Sequence, residues 1–314
     1  MRLRRRHLLA AALTALAACS SEQPTAPDAG TDAAQPVQGV TAGEPRIYWD
    51  RDESLRRLQF APPAAGTSTL LTLHGGDVLT TSKTATIFWG SSWNSASFAG
   101  DVITGLDQFY AGWSGSNYNA INTEFYGNNG QITNVSSFLG HSIDATAPPS
   151  KALSVSQAVA EACKISGNNP DPTALYAIYT ENYPRGSLNY CAWHSYGTCT
   201  GGKPVQVAYF PNVAGKAGCD PQDTYGTGHS QALAALANVS GHELAETITD
   251  PRNGGWYDGS GAENADKCAW VFNGAVTLKN GSKWKIQMNW SNAAFSSGTG
   301  LPNRNGEKGC LQGN

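Results

Sequence analysis

A helix with the spacing of a metal site is encoded by Ser240-Gly241-His242-Glu243-Leu244-Ala245-Glu246-Thr247-Ile248-Thr249-Asp250-Pro251. The pattern predicts the C-terminal half of a long helix that begins near His229. Because a helix has 3.6 residues per turn, His242 and Glu246 share one face, while Glu243 projects about 100° around the axis. Two side chains that can bind a metal and one further carboxylate are therefore placed close together.

This spacing resembles the H-E-x-x-H helix of zinc hydrolases, in which the first and last residues hold the metal and the intervening Glu is the general base. We therefore predict His242 and Glu246 as metal ligands and Glu243 as the catalytic residue. Zinc is the expected cofactor. A carboxylate in place of the second histidine makes a harder site, which keeps calcium or manganese as alternatives. In the plainer interpretation, the two glutamates form a solvated helix face and the histidine is an ordinary hydrogen-bonded one.

A catalytic metal takes three protein ligands, so a third must come from outside the helix. The glycine- and acid-rich segment 258–268 can fold back onto the helix, and we predict Glu263 and Asp266 as candidates for the third metal ligand. Asp250 lies about 12 Å along the axis from His242, and we assign it to helix termination. Two other interpretations of the segment remain open: a separate calcium site and a solvated turn without an ion.

Three further residues are predicted to contact substrate, namely His194, Trp256 and Tyr257. A histidine can orient a substrate or stabilise an oxyanion, and aromatic rings can stack on sugars. Structural roles for all three are the alternative. The sequence contains no G-x-S-x-G elbow, phosphate-binding loop or dinucleotide fingerprint, which argues against a serine hydrolase, a nucleotidase and a dehydrogenase.

The N-terminus has the features of a bacterial lipoprotein. Residues 1–18 combine four arginines with a short apolar run, as a signal peptide does, and Leu16-Ala17-Ala18-Cys19 is typical of a lipobox. We predict lipidation of Cys19, which would hold the protein in the membrane, with the outer membrane or cell surface as its location. An ordinary signal-peptidase site is the alternative. Residues 19–65 are predicted to form a tether, with the segment around Ile47-Tyr48-Trp49 packing loosely or not at all.

Composition supports export and excludes one class of partner. Charged residues make up only 14% of the 314-residue chain, and the formal net charge is −3. The lysines and arginines outside the signal peptide are scattered, so no nucleic-acid partner is expected.

Six cysteines remain when Cys19 is assigned to lipid, and an even number in an exported protein implies up to three disulfides. Six cysteines allow fifteen pairings. Our predicted pairs are Cys191–Cys199, Cys163–Cys219 and Cys268–Cys310.

Hydrophobic periodicity predicts strands and helices in a single α+β domain over 66–314, in which helices cover a sheet in a zincin-like layout. The predicted helices are 101–113, 154–164 and 229–250, and the segment 191–199 is expected to be a loop. The predicted strands are 67–73, 84–89, 174–179, 205–210, 269–272, 275–278 and 284–290.

Several segments in the same order resemble the phosphate-induced, EXORDIUM-like family of plants, which has bacterial members. They are His74-Gly75-Gly76-Asp77-Val78-Leu79, Ile87-Phe88-Trp89-Gly90, Cys191-Ala192-Trp193-His194-Ser195, His242-Glu243-Leu244-Ala245-Glu246, Asp250-Pro251, Gly255-Trp256-Tyr257 and Glu263-Asn264-Ala265-Asp266-Lys267-Cys268. The resemblance implies an extracellular or wall-associated protein without an assigned reaction. The lipobox and the tether depart from the plant pattern and indicate a bacterial surface lipoprotein.

These observations predict a secreted surface lipoprotein with a metal-dependent hydrolase domain that acts on peptide bonds. The alternative is a non-enzymatic extracellular or cell-wall-associated protein that binds a polysaccharide or a protein partner.

Overall fold

The computed structural model describes residues 40–60, 69–186, 188–221 and 225–314. All of them belong to a unit that extends over Ala34–Asn314. The predicted signal peptide at 1–18 and the predicted lipidation site Cys19 lie outside the described residues. Within the described part of the chain, none of the helices combines the length and the apolar character that a membrane span requires.

The described residues form sixteen strands, most of them short, and seven α-helices. The strands are β1 Thr41–Ala42, β2 Arg46–Trp49, β3 Thr72–Leu73, β4 Ser82–Trp89, β5 Tyr126–Gly127, β6 Gly130–Gln131, β7 Ser136–Asp144, β8 Ala174–Thr180, β9 Tyr190–Thr198, β10 Pro204–Phe210, β11 Trp256–Tyr257, β12 Val276–Thr277, β13 Lys283–Trp284, β14 Asn289–Trp290, β15 Leu301–Pro302 and β16 Lys308–Leu311. The helices are α1 Arg51–Phe60, α2 Ala96–Ala99, α3 Val102–Ala111, α4 Asn117–Ala120, α5 Val155–Ile165, α6 Gln231–Thr249 and α7 Asn292–Ser296.

The central sheet has the order β1-β9-β10-β8-β4-β7, and β2 also pairs with β9. Strands β10, β8, β4 and β7 run parallel to one another, while β9 runs antiparallel to β10, β1 and β2. Sheets of this kind are buried on both faces, which explains why β8 and β10 are almost continuously apolar.

Alternate residues of each central strand pack against different helices. In β4, Phe88 joins the core formed with α3 and α6, whereas Ile87 and Trp89 join the core formed with α5. Helices α3 and α6 approach closely, since a Cβ at Gly105 would lie 2.2 Å from Leu233 Cδ2. The predicted α+β class is confirmed: a mixed sheet lies at the centre and helices cover both faces.

Helix α6 carries three of the candidate metal-site residues. The Ser230 side chain caps its N-terminus by accepting the Leu233 N–H at 3.1 Å. The helix ends at Thr249, and Asp250 then accepts the N–H groups of Gly254 and Gly255, each at 2.7 Å. The predicted role of Asp250 in ending the helix is therefore confirmed.

Two predictions for segments that contact α6 are wrong. The segment 191–199, expected to be a loop, lies mostly within strand β9. The residues around Ile47-Tyr48-Trp49, expected to pack loosely, form β2, and the Tyr48 ring is completely buried. In both cases hydrogen bonding between β2 and β9, which are about 145 positions apart, supplies stability that no local pattern reveals.

Other predicted elements differ less. Helices α3 and α5 and strands β4, β8 and β10 confirm their predictions to within about two residues at each end. No strand covers 269–272, which the structure describes in full, and 284–290 contains parts of two short strands rather than one. Strand β7 was not predicted.

Three disulfides link Cys163–Cys199, Cys191–Cys219 and Cys268–Cys310. The third confirms its prediction, while the predicted pairs Cys191–Cys199 and Cys163–Cys219 are wrong. Strand β9 explains the difference, because eight residues of extended chain separate the first pair by about 27 Å. Bridged cysteines have Cα atoms no more than about 7 Å apart.

Candidate metal centre

Three parts of the chain meet at the C-terminal half of α6 and place two histidines among carboxylates. The helix contributes His242, Glu243 and Glu246, and the adjacent strand β9 contributes His194. The segment after the helix turns back and contributes Glu263 and Asp266. We call these six side chains the buried cluster.

The first group of possible metal ligands consists of His194, Glu243 and Glu246. The His194 Nδ1 atom lies 3.0 Å from Glu243 Oε2 and 3.5 Å from Glu246 Oε2. Atoms that each lie about 2.1 Å from one ion are separated by about 3 to 3.5 Å, so this spacing fits a shared metal.

The second group consists of His242, Glu246 and Asp266. The His242 Nε2 atom lies 3.0 Å from Glu246 Oε1 and 3.6 Å from Asp266 Oδ1. The Asp266 N–H also donates to Glu246 Oε1 at 3.0 Å, which fixes the segment against the helix. Glu246 therefore belongs to both groups and presents a different oxygen to each.

The cluster is shielded from solvent. Five of its side chains are at most 1% exposed, and only the Asp266 side chain, at 28%, reaches the surface. Among the described residues, several ligand atoms have no hydrogen-bond partner: His194 Nε2, His242 Nε2, Glu243 Oε1 and both carboxylate oxygens of Glu263. Burying such atoms without a partner is costly, so their concentration here indicates a site for a ligand.

Positive charge within the described part of the chain compensates this cluster only weakly. The Arg46 Nε atom lies 3.8 Å from Glu263 Oε2, and Arg46 Nη2 lies 3.4 Å from Asp250 Oδ2. The same guanidinium also attracts Glu246 and Asp266, so one positive charge serves several carboxyl groups and a divalent cation would fit the charge balance.

Burial moves the pKa of every member away from its ordinary value. Desolvation lowers the pKa of His194 to about 3 and that of His242 to about 4. Desolvation, followed by repulsion between the carboxylates, raises the pKa of Asp266 to about 7 and holds that of Glu243 well above its usual range. Protein metal sites are built from neutral imidazoles and from carboxyl groups that lose their protons when a cation binds.

The carboxyls of Glu246 and Glu263 behave in the same way. Desolvation raises the pKa of Glu246 to about 8, against the hydrogen bond from the Asp266 N–H and the attraction of Arg46. The pKa of Glu263 lies well above its usual range because it is desolvated and faces Glu246 and Asp250.

Two residues that the sequence patterns did not single out support His242. The Tyr48 ring stacks on the imidazole with ring centroids 3.7 Å apart, and the Gln287 Nε2 atom lies 3.1 Å from His242 Nδ1. Tyr48 lies in the segment that was expected to pack loosely. Gln287 lies in a stretch of mainly apolar residues, where a single glutamine matches no known motif.

The other two predicted substrate contacts differ in their surroundings, and Tyr257 is linked to the cluster through Arg46. Tyr257 stacks on His74 with ring centroids 3.5 Å apart and lies 4.7 Å from the Arg46 guanidinium, which connects it to the cluster. Trp256 packs against Phe125 and donates its indole N–H to the Tyr126 carbonyl. His194, expected to contact substrate, lies within the cluster itself.

The donor set of imidazole nitrogens and carboxylate oxygens fits zinc or manganese better than calcium, which prefers oxygen alone. Comparison of the chain with protein-family models, curated proteins and solved structures gave no match. The case for function therefore depends on the chemistry of the cluster.

Proposed function

We propose that the protein is an exported metal-dependent hydrolase and that the buried cluster is its metal centre. Two observations made together carry this proposal. The side chains form two overlapping groups of ligand spacing, and the same buried region contains imidazole and carboxylate atoms that have no hydrogen-bond partner. Zinc is the proposed cofactor.

Hydrolysis of peptide bonds is the proposed reaction, on the basis of the similarity between the His242–Glu246 helix and that of zinc peptidases. A divalent metal supplies Lewis acidity toward the carbonyl oxygen of a substrate. The proposal gives the zincin-like ligand set to His242 and Glu246, with Asp266 or Glu263 completing it, and the role of general base to Glu243. Asp266 is partly exposed and marks the side from which a substrate would approach.

The proposed location is the outer membrane or cell surface, with Cys19 as the lipid anchor. The signal-peptide pattern at 1–18 supports it, and three disulfides suit an oxidising compartment. Membership of the EXORDIUM-like family is proposed on the sequence motifs alone.

One observation favours a second candidate function. Catalytic metal sites keep an open position, whereas structural sites are closed, and five of the six side chains in the cluster are almost completely buried. In this alternative the ion stabilises the fold of a non-enzymatic surface protein, whose partner is a polysaccharide or another protein.

Elemental analysis of the purified protein followed by a peptidase screen tests both candidates. The hydrolase proposal predicts about one zinc per chain and peptidase activity that Glu243→Gln abolishes. Glu161→Gln, a matched change on the opposite face of the sheet, should leave that activity intact. Bound metal without hydrolysis of any peptide would favour the structural alternative, and absence of metal would contradict both forms of the metal centre.

A further inference from the structure

We infer that the metal is held by His194, Glu243 and Glu246, and that His242 presents an N–H to the cluster rather than acting as a ligand. This inference rests on the proposed metal centre and decides between its two groups of ligands. The argument depends on which nitrogen of each imidazole carries a proton.

The amide of Gln287 has only one orientation that satisfies its neighbours. Its Oε1 atom accepts from the Tyr48 hydroxyl at 2.6 Å and from the Trp270 N–H at 3.3 Å. Its Nε2 atom donates to the Ala265 carbonyl at 2.7 Å. Because a backbone N–H only donates and a carbonyl only accepts, exchanging the two amide atoms would replace both backbone contacts by repulsive ones.

Asn238 fixes the direction of the Tyr48 proton. The Gln287 backbone N–H donates to Asn238 Oδ1 at 2.9 Å, so the Asn238 amino group faces the Tyr48 oxygen at 3.2 Å. The Tyr48 hydroxyl therefore accepts from Asn238 and gives its own proton to Gln287 Oε1. Every member of this network, which is completely buried, agrees with the same amide orientation.

The second amino hydrogen of Gln287 consequently points at His242 Nδ1, 3.1 Å away. An imidazole that accepts at Nδ1 carries its proton on Nε2. That Nε2 atom lies 3.0 Å from Glu246 Oε1, where it presents a hydrogen rather than a lone pair. A ligating histidine needs the reverse arrangement, with its other nitrogen donating to an acceptor.

His194 has the arrangement that a ligand requires. Its Nδ1 atom faces Glu243 and Glu246, and its Nε2 atom faces Glu263 Oε2 at 3.8 Å. In contrast to His242, no amide N–H of the described residues is hydrogen-bonded to this ring: Nδ1 pairs with the Glu243 carboxyl, and Nε2 is without a partner. The ring is therefore free to direct a lone pair from Nδ1 to the ion and a proton from Nε2 toward the unpartnered carboxylate of Glu263.

The assignment changes the roles of two carboxylates. Glu243 becomes a ligand instead of the general base, and Glu263 orients His194 from behind. Asp266, the one partly exposed carboxylate of the cluster, is then left beside the His242 N–H on the side that a substrate can reach.

Matched variants test this assignment with zinc alone as the probe. His194→Gln should weaken zinc binding by at least about 10-fold, since it removes a ligand. His242→Gln, which retains an N–H donor, should change zinc affinity by less than about 3-fold. Loss in His242→Gln alone, or equal loss in both variants, would overturn the assignment while leaving the metal centre in place.

A second measurement on the unmutated protein does not depend on how the variants fold. Loaded with ¹¹³Cd and labelled with ¹⁵N at histidine, the protein should show cadmium coupling to His194 Nδ1, and His242 should keep its proton on Nε2. Coupling to His242 Nε2 would contradict the inference. A failure to bind either zinc or cadmium would contradict the proposed metal centre itself.

Discussion

Buried carboxylates occur on both faces of the central sheet, and they differ in their hydrogen-bond and ion-pair partners. On the α5 face, Asp144 and Glu161 share the ammonium group of Lys164, and Thr146 donates to Asp144 through its backbone N–H at 2.9 Å and its hydroxyl at 2.8 Å. Only Glu161 Oε1 lacks a partner there among the described residues. On the α6 face, three carboxylate oxygens and two imidazole nitrogens of the buried cluster lack one.

The difference shows which buried acids indicate a ligand. Both groups contain a carboxyl whose pKa is raised, so a raised pKa alone does not distinguish them. A lysine of helix α5 compensates the α5 pair, as in a structural ion pair, whereas several carboxylate oxygens of the α6 cluster receive no hydrogen bond from the described residues. A structural pair is therefore distinguished from a candidate site by the hydrogen-bond donors and cations that contact its carboxylates, and not by the number of carboxylates.

The largest expected effect is that of metal removal, which should act on the α6 cluster alone. A ligand present at 1,000 times its dissociation constant contributes about 4 kcal/mol, and a domain of this size changes its Tm by about 2–4 °C per kcal/mol. A chelator should therefore lower the Tm by about 10 °C in thermal denaturation. A Tm that changes neither with chelator nor with added zinc would show that the α6 cluster binds no metal and does not differ from the α5 pair in this respect.

Glu246→Gln should abolish that response, because Glu246 belongs to both possible ligand groups. The Tm of this variant should shift by less than about 2 °C when zinc is added. Glu161→Gln removes a buried carboxylate from the other face and should retain the full response. Equal responses in the two variants would show that zinc binds elsewhere.

The α5 pair predicts a pH dependence of its own. Burial and the neighbouring Asp144 raise the pKa of Glu161 from 4.5 to about 7, so its contribution to stability is complete below pH 4.5 and is lost as the pH rises toward 7. The free energy of unfolding of the wild type, relative to Glu161→Gln, should therefore fall by about 2 kcal/mol across this range. Urea denaturation at pH 4.5, 6 and 7.5 measures this difference.

Asp144 predicts the opposite pH dependence of stability. Its pKa lies below the usual range, because hydrogen bonds from Glu161, Lys164 and Thr146 outweigh its desolvation, so its contribution is present above pH 3.8 and is lost on acidification. Asp144→Asn should remove this loss of stability at acid pH. It should also reduce the loss between pH 4.5 and 7, because Asp144 is one cause of the raised pKa of Glu161. A free-energy difference between the wild type and Glu161→Gln that does not change between pH 4.5 and 7 would contradict the raised pKa of Glu161.

The smallest effect is expected from Lys164→Met, which removes the cation of the α5 pair. Its side chain is half exposed, so the loss should be about 1 kcal/mol in urea denaturation at pH 7. Zinc affinity should not change. A zinc affinity that fell with this variant would show that the two faces are coupled.

Local sequence patterns predicted the parts of the site that lie on one element. The i, i+4 spacing placed His242 and Glu246 on one face of α6, and Asp250 marked the end of that helix. The glycine- and acid-rich segment that follows was expected to fold back onto the helix, and the Asp266 N–H bonded to Glu246 Oε1 does this. Local chain geometry fixes the first two relations, because they span one or two turns of helix, whereas the contact between Asp266 and Glu246 joins residues 20 positions apart.

Cysteine pairing shows where local patterns stop. The prediction was right for Cys268–Cys310 and wrong for the two bridges that begin or end at β9. A strand in the middle of a sheet is stabilised by its neighbours on both sides, and nothing within 190–198 required the extended form.

The sequence by itself determined the long helix, the positions of the candidate metal ligands on it and the six cysteines that follow Cys19, since periodicity and residue chemistry act over a few residues. Only the tertiary structure decided that His194 enters the cluster, that Tyr48 and Gln287 set the proton position on His242, and that Glu243 faces an imidazole. Those relations join residues between 45 and 239 positions apart, and packing of β2, β9 and α6 brings them together.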